Sequence, residues 1–101
     1  MAERLAQLAL ADFTPCLHQA FRVPFEEGAL LLELVEAATV GAGDGNAGRR
    51  PPFSLIFEGP KEPRLEQGIH ALEHGTLGTL SIFLVPIGPG GKGLHYEALF
   101  A

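Results

Sequence analysis

His70-Ala71-Leu72-Glu73-His74 is the stretch on which the reading of this chain turns. Wound as a helix, it would set two imidazoles about 6 Å apart along the axis, close enough to share a zinc ion, in the H-x-x-E-H pattern of inverted zinc peptidases. Drawn out as a strand at ~3.3 Å per residue, it would hold them about 13 Å apart, too far to share an ion. Gly68 and Gly75 bracket the segment, Leu72 lies on the same face as both histidines, and only residues 75–101 follow to supply a third ligand. The extended reading is therefore preferred, with the histidines satisfied or solvated on a strand.

The neighbouring segments extend this reading. In Thr79 to Ile87, Leu80, Ile82 and Leu84 alternate with Phe83 and Val85, which predicts a strand apolar on both faces and covered on both sides. Gly75-Thr76-Leu77-Gly78 joins the two as a hairpin. Gly88 to Gly93, with Pro89, reads as a turn, and Leu94, Tyr96, Ala98 and Phe100 as a last alternating strand, Tyr96 keeping a wet tip. Upstream, Phe53, Leu55 and Phe57 alternate with Ser54, Ile56 and Glu58 until Gly59-Pro60 stops them. Phe21, Val23 and Phe25 form another period-two run entering a turn at Glu26-Glu27-Gly28.

Ala29 to Val40 fits two patterns. Leu31, Leu34, Val35 and Ala38 make a helical stripe, whereas Leu30, Leu32 and Leu34 make a strand face. The preceding turn and the following Thr39-Val40-Gly41 favour the strand, with the helix as the alternative. Near the N-terminus, Leu5 and Leu8 are three apart, and Asp12 or Thr14 stands ahead of Pro15, so residues 1–18 predict a short helical segment. Gly41 to Pro52, with four glycines and two prolines, predicts a flexible loop. The sum is a mainly β single domain over 1–101: a small antiparallel β-sandwich or barrel of about six strands, its contacts mostly hairpin-local, with a short N-terminal helical segment.

Composition narrows the function classes. At 101 residues, 47% hydrophobic and 19% charged, the chain has a core's worth of apolar surface but little room for a deep pocket as well. A net charge of −5 repels phosphate backbones and anionic lipid, which disfavours nucleic-acid and membrane-surface partners. A lone Cys16 forbids an internal disulfide, so a cytoplasmic location is the default expectation. Glu3, Arg4 and Gln7 break any apolar stretch ahead of Ala9-Leu10-Ala11, so no signal peptide is expected, and no run approaches the ~20 residues of a membrane span.

The chemistry-like motifs are weak. Gly43-Asp44-Gly45-Asn46-Ala47-Gly48 has dinucleotide-fingerprint spacing, but Arg49-Arg50-Pro51-Pro52 follows where a helix should begin, so no cofactor is expected. Asp44 and Asn46 start like a calcium loop that Arg49 and Leu55 then spoil, and Gly91-Lys92-Gly93 lacks the Ser or Thr of a P-loop. Cys16-Leu17-His18 places a thiol near an imidazole without further catalytic parts, and buried packing is its simpler role. Glu26-Glu27 and Glu33/Glu36 read as solvated, with no pair singled out for acid and base work. Arg49, Arg50, Pro51 and Pro52, a basic doublet closing the longest loop, form a candidate docking element for an acidic partner.

Several stretches taken together carry a resemblance. These are Phe53-Ser54-Leu55-Ile56-Phe57-Glu58-Gly59-Pro60, Leu65-Glu66-Gln67-Gly68, Leu72-Glu73-His74, Phe83-Leu84-Val85-Pro86-Ile87-Gly88-Pro89 and Tyr96-Glu97-Ala98-Leu99-Phe100. From about Leu10 to Phe100 the chain resembles a family of small bacterial proteins of uncharacterised function. The resemblance implies a free-standing domain, sometimes encoded near proteins like phage tail-collar components, and assigns no catalytic residues. His70 departs from the aromatic the resemblance leads one to expect, and Ala71 stands where the family varies, which speaks against a shared metal motif.

The expected function is a non-enzymatic protein-interaction or assembly module, with another protein as partner, no cofactor and no metal, and self-association left open. The expectation extends to an accessory role in a phage-tail-like or appendage system. The alternatives are a small metal-dependent hydrolase using His70, Glu73 and His74, and a binder of a small apolar ligand inside a barrel.

Overall fold

The computed structural model describes residues 8–25, 28–40 and 51–100. Six antiparallel strands, β1 Ala20–Phe25, β2 Gly28–Thr39, β3 Phe53–Gly59, β4 Gly68–His74, β5 Gly78–Gly90 and β6 Gly93–Phe100, close into a barrel in the order β1-β2-β3-β6-β5-β4. Four of the six interfaces join strands consecutive in the chain. The other two, β3 with β6 and β4 with β1, complete the ring. Of the two β architectures that the periodicity allows, the barrel is the one adopted, and the segment expected over 29–40 is a strand that ends at Thr39.

Period-two alternation generates the interior. Phe21, Val23, Leu32, Leu34, Leu55, Phe57, Leu72, Leu80, Ile82, Leu84, Tyr96 and Ala98 are buried, and they fill the barrel with aliphatic and aromatic side chains. Phe21 meets Phe57 edge-on at 5.2 Å. At one end Phe53 and Phe100 stack at 4.6 Å, with Phe13 tilted over both. Phe13 arrives on a four-residue helix, α1 Leu10–Phe13, which a 3₁₀ turn with Pro15 near its start continues over Thr14–Cys16. Of the helical segment expected over 1–18, the part within the described residues is Leu10–Cys16. Leu8 is buried, and the Ala9 N–H donates to Asp12 Oδ2 at 2.7 Å, so Asp12 closes the first turn from inside it. Residues 1–7, like Glu26 and Glu27 of the β1–β2 connection, lie outside the described residues.

Two further expectations are corrected. β5 does not stop at Ile87 but runs on to Gly90, with a register shift between Pro86 and Gly88. β4 pairs β5 only as far as Leu84, so Pro86 and Pro89 fall where β5 has one ladder partner and a missing N–H breaks no second ladder. β5 is also not covered on both faces. Leu80, Ile82 and Leu84 point into the core, but Phe83 stands 50% exposed on the outside. Ladder partners lie beside the strand and not over it, so the outer face carries Phe83 toward solvent.

Candidate functional site

The H-x-x-E-H segment is β4, and its three side chains go to separate tasks. The His70 Nε2–H donates to the Glu66 carbonyl at 2.7 Å. His74 Nδ1 accepts the Thr76 and Leu77 N–H groups at 3.1 and 3.3 Å, so Nε2 carries the proton and donates to Gln19 Oε1 at 2.7 Å. The same ring packs on Phe21 at 4.6 Å, pinning the β4–β5 turn to the barrel. Glu73 points to the opposite face and pairs with Arg22 Nη1 at 2.6 Å, at the one residue pair that ladders β4 to β1. Among the described residues no group of three His, Cys, Asp or Glu side chains is placed to hold a metal ion.

Polar chemistry gathers instead on the outside of β2, β3 and β6. Glu33 and Glu58 are direct cross-strand partners, and Glu58 is opposite His95 in the next ladder. Like charges so placed repel, and each carboxylate is offset by an imidazole: His18 Nδ1 lies 3.2 Å from Glu33, and His95 Nε2 lies 3.0 Å from Glu58. Glu58 is the more enclosed, its side chain 19% exposed. The hairpin tip Gly90-Gly91-Lys92-Gly93 wraps it. The Lys92 N–H donates to Glu58 Oε2 at 3.3 Å, and a Cβ on Gly91, whose φ is +54°, would run into Oε1. The hydrogen bond from His95, then that from Lys92, holds the Glu58 carboxyl below its ordinary range. Gly91-Lys92-Gly93 thus cradles a carboxylate of its own chain. Beside this row lies a shallow groove of about 350 Å³, lined by Leu31, Glu33, Glu58, Pro60 and Lys92 among others.

Cys16 is buried, its Sγ 3.9 Å from the Asp12 carbonyl, and burial pushes its thiol pKa up, away from a reactive thiolate. His18 turns to Glu33. Tyr96 does not keep the wet tip expected of it: it is fully buried and its hydroxyl accepts the Leu65 N–H at 3.0 Å, tying the 60–67 connection over the barrel end. Of the docking candidates, the Pro52 carbonyl accepts the Val40 N–H at 3.0 Å and Pro51 is exposed. Arg49 and Arg50 lie outside the described residues, as do the glycine pattern at 43–48 and the calcium-like Asp44 and Asn46.

A second outer feature is apolar. Ile69 of β4 is paired with Phe83 of β5. Leu99 lies on β6, the strand on the other side of β5, beyond the point where the β5–β6 ladder ends at Val85 and Glu97. Ile69, Phe83 and Leu99 are 71%, 50% and 65% exposed, so β4 and β5 carry a paired couple of large apolar side chains on the outer wall and β6 carries a third. Sequence alternation marks each as outward, but only the ring order β6-β5-β4 places their strands side by side.

These features define a small, closed, antiparallel six-stranded β-barrel with an interior filled by its own side chains and its polar and apolar groupings on the outside. The chain belongs to the family of the domain of unknown function DUF6916, whose model matches residues 8–100. Neither the curated proteins nor the solved structures give a match. Among the described residues no helix is long and apolar enough to cross a membrane.

Proposed function

We propose that this domain is a non-enzymatic interaction or assembly module that binds another protein on the outside of its barrel. The observation that carries the reading is the exposed, cross-strand Ile69–Phe83 pair, since large apolar side chains held side by side in water are a recurrent mark of a docking surface. The filled interior supports it, because binding then has to occur on the wall or the loops. The proposal includes a partner in a phage-tail-like or appendage assembly, a cytoplasmic location and a contribution from the Arg49-Arg50-Pro51-Pro52 loop, supported by the sequence resemblance, the cysteine usage and the loop composition respectively.

The test is affinity capture from the native cell with the whole chain and with Phe83→Ser. A stoichiometric partner held by the whole chain and lost by the variant supports the module. No stoichiometric partner, or one held equally by both, overturns it. Deleting 43–48 tests the loop, and full retention of the partner removes it from the proposal.

A further inference from the structure

β2 changes partners at Glu33. From Gly28 to Glu33 it ladders with β1, and from Glu33 to Thr39 with β3, so Glu33 alone belongs to both ladders. β3 ends at Gly59, which leaves Gly28 to Leu32 with β1 on one side and, among the described residues, no strand on the other. Leu34 fixes which backbone groups face that open side. Its N–H donates to the Gln19 carbonyl and its carbonyl accepts the His18 N–H, both on the β1 side. Peptide groups in a strand change sides residue by residue, so Leu32 and Leu30 also face β1, while Leu31 and Ala29 present N–H and C=O to the open side.

The groove of about 350 Å³ lies along this side, with Leu31, Leu32 and Glu33 lining it from β2, and Glu58, Gly59 and Pro60 from the end of β3 and the residue after it. Unpaired donors and acceptors in a row are satisfied by another extended chain, and a segment laid here would continue the line of β3. The charge selects a sign. Glu33 and Glu58 stand directly opposite each other at the head of the groove, flanked by His18 and His95, and Lys92 is the one Lys or Arg among the lining residues. Two carboxylates against one ammonium favour a segment that brings a positive charge, and the net charge of −5 disfavours a second copy of this chain.

Independently of the Ile69–Phe83 pair, we propose that the open edge of β2 takes an extended cationic segment of a partner protein as an added strand. The segment runs antiparallel to β2, with backbone bonds to Ala29 and Leu31 and a Lys or Arg against Glu33 and Glu58. The probe is a labelled peptide of alternating Thr and Val with an Arg at its acetylated N-terminal end. It is titrated into the whole chain by fluorescence anisotropy, and amide exchange at Ala29 and Leu31 is followed by NMR. Binding is expected to slow exchange at both amides. Of two versions N-methylated on one or the other alternate set of amides, the one whose methyl groups face β2 is expected to bind at least tenfold more weakly, having lost its backbone donors. Glu33→Gln, and a peptide with Glu in place of Arg, are each expected to lose several-fold at low salt and less at high salt. Leu31→Pro removes a donor from the open side and none from the β1 ladder, and is expected to weaken binding about fivefold. Where that variant fails to fold, the methylated peptides carry the same test. Phe83→Ser and Glu62→Gln are expected to leave binding within twofold.

Equal binding of the parent and both methylated peptides, unchanged exchange at Ala29 and Leu31, equal binding of the Glu-bearing peptide, or loss of the peptide on Phe83→Ser would each overturn the proposal. The result is separate from the capture experiment, because a native partner lost on Phe83→Ser and a peptide kept by it report on different surfaces, and either can fail without the other.

Discussion

Glu58 receives its hydrogen bonds from groups 34 and 37 residues further along the chain, so a carboxylate that looks like an ordinary outward strand residue becomes the clasp of the β5–β6 hairpin. Its lowered pKa fixes the sign of a pH effect. The folded chain binds fewer protons at this site than the unfolded one, so the stabilisation is fully present above the ordinary carboxyl value and is lost as pH falls through the lower folded value. Glu58→Gln is therefore expected to flatten the acid limb of stability below about pH 4.3, and urea unfolding at a series of pH values reads this directly. The tip has a steric counterpart. A Cβ on Gly93 would run into the Gly59 carbonyl oxygen, a backbone atom that cannot swing aside, whereas one on Gly75 meets nothing within 4 Å. Gly93→Ala is expected to cost about 2 kcal/mol or more and to lower Tm by roughly 8–16 °C, while Gly75→Ala is neutral or stabilising by a few tenths of a kcal/mol. Thermal melts of the two variants side by side decide it.

Among the elements, α1 is too short to hold itself together and owes its place to Phe13, which lies fully buried on Phe53 and Phe100. Phe13→Ala should remove the lid from that end of the barrel at a cost of ~3–5 kcal/mol, measured by denaturant titration. The strands were largely legible in the sequence because alternation survives in each: Phe53, Leu55 and Phe57 in, Ser54, Ile56 and Glu58 out. Less legible was what depends on partners that alternation does not name. The end of β5 was hidden because Pro89 and Gly88 read as a turn, and only a neighbour missing beyond Leu84 makes prolines tolerable there. Tyr96 carries no mark that Leu65 will cap its hydroxyl. The His18–Glu33 and Glu58–His95 pairs and the Ile69–Phe83 pair are products of register, which sequence spacing leaves open. The H-x-x-E-H segment was decided by its flanking glycines, and the structure agrees because a strand separates what a helix would have gathered.

For the molecule as a whole, the ring is closed unevenly. β3 ladders over its whole length with β6, and over most of it with β2, but β1 meets β4 at the single pair Arg22 and Glu73. Amides of β1 and β4 are expected to exchange with deuterium faster than those of β3 and β6, with Arg22→Ala widening the gap, as hydrogen-exchange mass spectrometry would show. Equal protection around the ring would contradict this. The neighbours of β3 also set a timetable. One flank is in place as soon as β2 has been made, but the other waits for β6, the last of the six strands in chain order. During synthesis, Phe53-Ser54-Leu55-Ile56-Phe57 therefore spends the interval as an apolar ribbon with one open side, the kind of segment that nascent chains stick by. A frameshift or proteolytic cut that removes β6 would leave a chain with a permanently adhesive flank, so the fragment should appear in inclusion bodies and not as a smaller soluble barrel.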